Sequence, residues 1–475
     1  MKQNAFAGLR AELGSLAPVR CIGRVATVES AVIGVTGLGG AARMGDLVRI
    51  LRAGGPALGG EVILISGELV SILPDESTEG IARGDRVTLM GPAGLDPCDS
   101  WIGRVIDPFG LPLDGRPLAR GDRTLPLRRS PPDPGGRGRM GARLETGMTV
   151  FNTMLPVVEG QRIGLFAGSG VGKSSLLAHF AAQMSADVVV IALVGERGRE
   201  LRDFVSDALG PEGMARSVVV AATSDRSALV RRRCAWAAMT VAEHFRDQGR
   251  RVLFLADSIT RFADAHREVA VAAGEQPALR GYPASTSHVV MQLCERAGPG
   301  PEGGGTITAI FTVLVAGSDM EEPVADILRG VLDGHVVLDR AIAERGRYPA
   351  IDLLRSVSRS LPGAADVSEN ETISAARRLL GAYDRNEVMI RAGLYSEGSD
   401  PELDRAIRAY PDLDAFLSER EAGDIENSFN RLRLILQRAG PAGRQAAPKP
   451  RAPEPAGASP RTRSGGAVAL RPPGR

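Results

Sequence analysis

The sequence predicts a multidomain α/β protein with a small N-terminal β-barrel, a central parallel-sheet domain and a C-terminal α-helical domain. Three observations predict this fold class. Residues 19–91 contain short β-rich runs broken by glycine, which is typical of a small barrel. Residues 162–315 alternate fully apolar strands with amphipathic helices, the pattern of a parallel sheet covered on both faces. Beyond residue 367 the sequence becomes helical and charged.

Composition limits the classes of function. A chain of 475 residues is too long for one simple domain, and two or three domains are expected. The 58 basic and 56 acidic side chains give a net charge of +2, and 4% of residues are aromatic, so neither charge nor stacking residues indicate a nucleic-acid partner. The five histidines form no ligand-like cluster, so we expect no zinc or iron site. The four cysteines are widely spaced and are predicted to be buried, reduced thiols: Cys21, Cys98, Cys234 and Cys294.

The N-terminal residues 1–17 are predicted to form an amphipathic helix, because their apolar residues recur at helical spacing. This helix either docks on the protein's own body or contacts a partner or a membrane surface. The sequence has no secretory signal and no apolar run near the ~20 residues that span a bilayer, which predicts a cytoplasmic protein. The apolar face consists of Phe6, Leu9, Leu13 and Leu16.

The C-terminal residues 441–475 are predicted to be a disordered basic tail rich in proline, glycine and alanine. They contain seven basic residues and one acidic residue, and such a segment cannot bury enough apolar surface to fold. We expect it to be solvated, with contact to acidic lipid or a partner as the alternative.

The three folded domains are assigned to residues 18–92, 93–366 and 367–440. The barrel strands are predicted near residues 21–25, 31–35, 45–50 and 61–65, and those of the central sheet near 188–193, 217–221, 252–256 and 307–315. Helices of the last domain are predicted over 372–383, 401–410 and 425–437.

The central domain begins with a strand, a glycine-rich turn and a helix, the order that a phosphate-binding loop requires. Glycines allow the backbone N–H groups to point inward at a polyphosphate, behind which lies the positive end of the helix dipole. Lys173 is expected to reach the β- and γ-phosphates, and the Ser174 hydroxyl to hold Mg²⁺. A glycine-rich turn without a nucleotide is the alternative. The predicted binding residues are Gly168, Ser169, Gly170, Val171, Gly172, Lys173, Ser174 and Ser175.

Two further strands end in acidic residues. Glu196 follows the strand near residue 190 and is our candidate for the base that orients and deprotonates the attacking water; an ordinary surface turn is the alternative. Asp257 ends the strand near residue 254 and is the candidate for holding Mg²⁺ directly or through water, or for capping the helix that follows. Arg261 lies one helical turn beyond, placed to sense the γ-phosphate.

These segments resemble the rotary-type ATPase family, and within it the type III secretion branch, with the flagellar export ATPases first and the virulence enzymes second. The resemblance covers roughly residues 18–440 and implies a RecA-like central domain. Its motifs are the glycine-rich loop at 168–174, Gly-Glu-Arg-Gly-Arg-Glu at 195–200, Asp-Ser-Ile-Thr-Arg-Phe at 257–262, Arg-Gly-Tyr-Pro at 280–283 and Leu-Asp-Gly-His at 332–335.

The resemblance implies roles that the residues alone do not show. It supports Lys173, Ser174, Glu196, Asp257 and Arg261 in the roles given above, with ATP and Mg²⁺ as ligands. Arg359 matches the arginine finger that reaches the neighbouring subunit's site. Tyr348 matches the aromatic residue that packs on the adenine ring; an ordinary core tyrosine is the alternative. Because the loop, the base and the finger occur on one chain, a homo-oligomer, by analogy a hexamer, is expected.

The implied function is a hexameric ATPase that energises or gates type III protein export for flagellum assembly. Its implied partners are a stator or regulator protein, a central stalk protein, export chaperone–substrate complexes and the export gate at the inner membrane. Three alternatives remain: a virulence secretion ATPase, a hexameric RNA translocase and a docking platform that binds ATP without hydrolysing it. Ala167 stands where the phosphate loop usually begins with glycine, and residues 284–291 and 317–322 depart from the family's wording. Segment 284–291 is expected to face the ring's pore or a subunit contact.

Overall fold

A computed structural model describes residues 20–29, 31–315, 320–421 and 424–440 of the chain. The predicted N-terminal helix over 1–17 and the predicted tail over 441–475 lie outside the described residues, as do residues 317–319 of the unusual segment 317–322. Among the described residues, no helix is both long and apolar enough to cross a membrane.

The N-terminal unit is a closed six-stranded barrel with the strand order β1-β2-β5-β4-β3-β6. All of its neighbouring strands are antiparallel. Side chains alternate along each strand, so that Ile33, Val35, Ile50 and Val70 are buried inside the barrel. The strands are β1 (Ile22–Val28), β2 (Ile33–Thr36), β3 (Asp46–Leu51), β4 (Leu58–Ser66), β5 (Leu69–Pro74) and β6 (Arg86–Pro92).

The central unit is a nine-stranded sheet, whose main path runs β17-β16-β10-β15-β13-β11-β12-β8, with β14 paired to β15. Strands β8, β12, β11, β13, β15, β10 and β16 are parallel, whereas β17 is antiparallel to β16. The strands are β8 (Arg104–Ile106), β10 (Arg162–Ala167), β11 (Val188–Glu196), β12 (Ser217–Thr223), β13 (Arg251–Asp257), β14 (Gly298–Pro299), β15 (Thr306–Leu314), β16 (Gly334–Leu338) and β17 (Ile351–Ser358). A separate short pair joins β7 (Gly94–Leu95) to β9 (Leu125–Pro126).

Helices cover both faces of this sheet. Each face has its own hydrophobic core, and successive residues of a strand pack alternately into one core and the other. Val188 and Val190 pack in one core with the long helix α5, whereas Val189 and Ile191 pack in the other with α2 and the C-terminal helices. The helices are α1 (Thr149–Asn152), α2 (Lys173–Gln183), α3 (Gly198–Asp203), a π-helix (Phe204–Leu209), α4 (Gly210–Met214), α5 (Ala228–Asp247), α6 (Ile259–Ala272), α7 (Ser285–Glu295), α8 (Pro323–Val331) and α9 (Arg340–Glu344), with 3₁₀ turns at Asp99–Trp101 and Leu279–Gly281.

The C-terminal unit is helical and consists of α10 (Val367–Arg391), α11 (Pro401–Phe416) and α12 (Ile425–Arg438). The first helix begins with a capping box, in which the side chains of Asp366 and Glu369 each accept a hydrogen bond from the backbone N–H of the other residue. Such a box stabilises a helix start. The helix extends further at both ends than its sequence pattern predicts. The predicted fold class of barrel, parallel sheet and helical domain is confirmed.

A buried carboxylate joins the barrel to the central unit. Glu61 on β4 forms ion pairs with Arg232 and Arg233 of α5, at 3.0 and 3.2 Å, and with Arg128, at 2.8 Å. Arg128 and Arg232 also lie over the ring of Trp236, at 4.7 and 5.0 Å. A single barrel carboxylate therefore forms ion pairs with three arginines of the central unit, two of which are buried.

The expectation of four buried thiols is wrong for two of them. Cys234 and Cys294 are buried, but Cys21 is exposed at the start of the barrel and Cys98 is half-buried beside Ser100. All four are free thiols.

Candidate active site

The predicted site residues come from strands that end at the same edge of the sheet. Because β10, β15, β13 and β11 are parallel neighbours in this order, their carboxyl ends meet there. The phosphate-binding loop follows β10, Asp257 ends β13 and Glu196 ends β11. Ligands of open parallel sheets bind outside this edge.

The phosphate-binding loop has the backbone that its glycines permit. Gly170 and Gly172 adopt φ values of +77° and +86°, a region that favours glycine. Lys173 is the first residue of α2, and Ser174 and Ser175 in its first turn are exposed. Backbone N–H groups at a helix start are unpaired and attract anions.

Ala167 is accommodated because its position belongs to the strand rather than to the turn. It is the last residue of β10, pairs with Leu314 and Leu338 on either side, and is fully buried. The tight turn begins after it, so a methyl group meets no conformational restriction there.

Lys173 and Asp257 contact each other directly. The Lys173 ammonium donates to Oδ1 of Asp257, and the Thr312 hydroxyl donates to the same oxygen at 3.0 Å. Asp257 is 3% exposed, so these two donors take the place of water at its carboxylate. The alternative role of Asp257 as a helix cap is wrong, because Ser258 caps α6 by accepting from the backbone N–H of Arg261.

Glu196 has the properties of a base. Burial raises the pKa of its carboxyl to about 7, with smaller contributions from a hydrogen bond to Glu200 and from the Asp257 charge. The same hydrogen bond lowers the pKa of Glu200. Arg261 lies 3.4 Å from Glu196 and also donates to the carbonyl of Gly195. A carboxyl that titrates near neutral pH suits general-base catalysis.

Oxygen donors suitable for Mg²⁺ line one cavity of about 240 Å³. Hydroxyl and carboxylate oxygens are the ligands that Mg²⁺ prefers, usually few of them together with water and phosphate. Ser174 and Asp257 fit this pattern, so the donor set suits the metal. The remaining lining residues are Ser175, Leu193, Glu196, Glu200, Asp203, Phe204 and Ala208.

Tyr348 lies against the phosphate-binding loop. A Cβ on Gly172 would approach its ring to within 3.0 Å, and the side chain is 52% exposed. One side of the ring therefore contacts the loop while much of the side chain stays open to a ligand, which an ordinary core tyrosine would not do.

Arg359 lies at the opposite edge of the sheet. It follows β17, and its N–H donates to Asp333, which in turn pairs with Arg162 at the beginning of β10. The length of β10, ~16 Å at the usual rise per residue, separates Arg359 from the loop of its own chain. Its guanidinium is exposed and donates to the carbonyl of Arg329 at 3.1 Å.

Sequence reasoning missed Thr312 and assigned no role to Glu200. Thr312 lies in an apolar strand with nothing to mark it, and only the pairing of β15 between β10 and β13 places it beside Asp257. The signal for Glu200 was present, because it is a second carboxylate in the first turn of the helix that begins two residues after Glu196.

Comparison with known proteins places these features in one family. Residues 147–358 match the nucleotide-binding domain of the ATP synthase alpha/beta family, and residues 366–433 match the T3SS EscN ATPase C-terminal domain. The flagellum-specific ATP synthase of Caulobacter vibrioides is 46% identical over 88% of this chain and 97% of its own length. That of Salmonella typhimurium is 42% identical over 91% and 97%.

Solved structures agree with this result. The assembled ATPase EscN from the type III secretion system of enteropathogenic E. coli has a TM-score of 0.80 at 35% identity, covering 87% of this chain and 100% of its own. The assembled EscN in complex with its central stalk EscO has a TM-score of 0.79 at 36% identity over the same shares of the two chains.

Proposed function

The chain belongs to the flagellum-specific ATP synthases of the ATP synthase alpha/beta family, and on that premise we propose that it hydrolyses ATP to energise or gate type III protein export during flagellum assembly. The observation that carries the proposal is the convergence of Ser174, Glu196 and Asp257 on one cavity at one sheet edge. Lys173 pairs with Asp257 at the same place.

Each side chain of this cluster has a distinct task. Lys173 and the N–H groups of the loop bind the phosphates, and the hydroxyl of Ser174 and the carboxylate of Asp257 hold Mg²⁺. When bound, this ion neutralises phosphate charge. Glu196 takes a proton from the attacking water, and Arg261 both orients Glu196 and stabilises charge on the γ-phosphate. Tyr348 packs on the adenine ring.

Replacement of one atom in Glu196 tests the catalytic assignment. We expect Glu196→Gln to bind ATP within about threefold of the wild type but to lose ~10²–10⁴-fold in turnover, because the amide cannot accept a proton. Binding of a fluorescent ATP analogue and phosphate release measure the two effects. Glu212→Gln, an exposed residue of α4, is the matched control. A wild type that binds ATP without releasing phosphate would instead support the docking platform.

The position of Arg359 favours a ring of identical subunits. Since the residue lies at the sheet edge remote from its own phosphate loop, we propose that it completes the site of the next subunit, in a hexamer. A finger supplied in this way stabilises transition-state charge and contributes several orders of magnitude to turnover in other phosphoryl-transfer enzymes.

Export partners follow from the relatives. EscN is seen in complex with its central stalk EscO, and we propose a corresponding stalk protein for this chain, together with a stator or regulator, chaperone–substrate complexes and an export gate at the membrane.

The flagellar assignment rests on relatives that are 39–46% identical, compared with 35–36% for EscN. Deletion of the gene should abolish filaments; normal filaments together with loss of effector secretion would favour the virulence alternative.

A further inference from the structure

Tyr348 belongs to a short connection, residues 345–350, which we call the strap. The strap runs from α9 to β17 and places the tyrosine ring against Gly172 of the phosphate-binding loop. Since the strap itself has no regular secondary structure, the position of the ring depends on what holds the neighbouring strap residues.

Arg347, the residue before Tyr348, ties the strap to the C-terminal helical unit. Its side chain is 9% exposed, and its Nε lies 3.1 Å from a carboxylate oxygen of Asp414 on α11. Its Nη2 also donates to the carbonyl of Ile351, at 2.8 Å. One guanidinium therefore contacts both the start of β17, by a hydrogen bond, and a helix of the next domain, by an ion pair in which Nε makes no hydrogen bond.

The helical side of this contact includes a stacked pair of aromatic rings. Tyr410 lies one helical turn before Asp414 on α11 and stacks on Tyr383 of α10, with ring centroids 3.6 Å apart and planes within 10°. Tyr410 also forms a hydrogen bond with Arg345 of the strap, so a second strap residue contacts α11 close to Asp414. By contrast, the neighbouring pair of Arg345 with Glu387 is longer, at 3.7 Å, and Arg345 is 45% exposed, so that pair contributes little.

We propose that Arg347 is a positioning residue: through Asp414 it fixes the strap so that Tyr348 stays beside the phosphate-binding loop and recognises the base of the nucleotide. This inference rests on the proposed function, because it assigns the determinant of base recognition in the same site. It follows that breaking the contact between Arg347 and Asp414 should reduce the affinity for the base of the nucleotide and leave the affinity for its phosphates unchanged.

Two ligands separate these effects. ATP carries a base and inorganic tripolyphosphate does not, while both occupy a phosphate-binding loop with Mg²⁺. We expect Arg347→Met to weaken ATP binding about tenfold and tripolyphosphate binding less than twofold, measured by calorimetry on the full chain. The KM for ATP should rise about as much as the dissociation constant, with kcat changed less than threefold.

Three further variants make the test specific. Asp414→Asn should reproduce the effect, Arg347→Lys should restore part of the ATP affinity because it keeps the charge, and Arg340→Met, which breaks an exposed pair with Glu344 on the adjacent helix, should change neither ligand. Asp414→Asn also serves if Arg347→Met fails to fold. Equal weakening of both ligands, or weakening of neither, would overturn the inference. A wild type without ATP turnover would contradict the proposed function instead.

Discussion

Glu196 is the site residue whose chemistry depends most on its surroundings. Its carboxyl is buried next to Glu200 and Asp257, which raises its pKa to about 7. A base acts in its ionised form, so wild-type kcat/KM should fall as the pH drops through 7, by about tenfold per pH unit below it, because this parameter reports the free enzyme. Steady-state phosphate release between pH 5.5 and 9 measures the profile.

Replacement of Glu200 checks the cause of that profile. Glu200→Gln offers Glu196 an amide donor in place of a carboxylate, which stabilises the ionised form, so the acidic limb should move to lower pH by roughly half a pH unit. Arg199→Gln, an adjacent residue whose side chain is 91% exposed, should leave the profile in place. An acidic limb with the same midpoint in the Glu200 variant would mean that another group titrates.

The sequence predicts some of the site residues and not others for a physical reason. The phosphate-binding loop is a local structure, with its glycines, lysine and serines in one continuous segment, so its motif alone predicts its shape. Thr312 and Arg347 act through neighbours remote in sequence, Asp257 and Asp414, and only the sheet order and the packing of α11 bring these pairs together.

Among the structural elements, the contact between strand β4 and helix α5 depends on one carboxylate. Glu61→Gln removes the ion-pair partner of two buried arginines, Arg232 and Arg233. We expect the free energy of unfolding to fall by about 3–5 kcal/mol, the usual cost of removing one partner of a buried ion pair. Urea unfolding followed by the fluorescence of the two tryptophans, one of which, Trp236, lies under two of the arginines, measures the loss.

A surface glutamate provides the comparison. Glu68 lies in the exposed turn between β4 and β5, and Glu68→Gln should alter the free energy of unfolding by less than about 0.5 kcal/mol. If Glu61→Gln behaves like this control, the arginines are stabilised by the Trp236 and Phe109 rings and not by the carboxylate.

For helices and strands, the sequence predicts their presence more accurately than their boundaries. The four predicted strands of the central sheet all occur, because a continuous apolar run of that length is typical of a strand that is buried on both faces of a parallel sheet. The boundaries differ where side chains outside the periodic pattern decide them. Helix α10 begins at Val367, five residues before its apolar pattern, because the capping box of Asp366 and Glu369 and the ion pair from Arg143 to Glu369 hold its first turn.

At the scale of the whole molecule, the chain carries the two halves of its proposed site on opposite edges of one sheet. The phosphate-binding loop and Glu196 lie at the carboxyl ends of the parallel strands, whereas Arg359 lies at their amino ends because β17 runs antiparallel. A closed ring of identical chains brings the two edges together at every interface. In the ring that we propose, the antiparallel edge strand is the feature of the fold that makes the arginine available to a neighbour.

Mixing two inactive variants tests this arrangement. Arg359→Ala chains keep Glu196 but supply no arginine, and Glu196→Gln chains supply the arginine but have no base, so rings of either variant alone should be inactive. In rings assembled from equal amounts of both, about a quarter of interfaces pair an intact base with an intact finger, so turnover should recover to about a quarter of the wild-type value if sites act independently. Phosphate release after co-assembly from dissociated chains measures the recovery. As a control, chains with Arg340→Ala, a substitution of an exposed residue, replace the Arg359→Ala chains, and these mixed rings should show about half of the wild-type turnover. Mixed rings as inactive as their parents would place Arg359 in its own chain's site, which the length of β10 argues against.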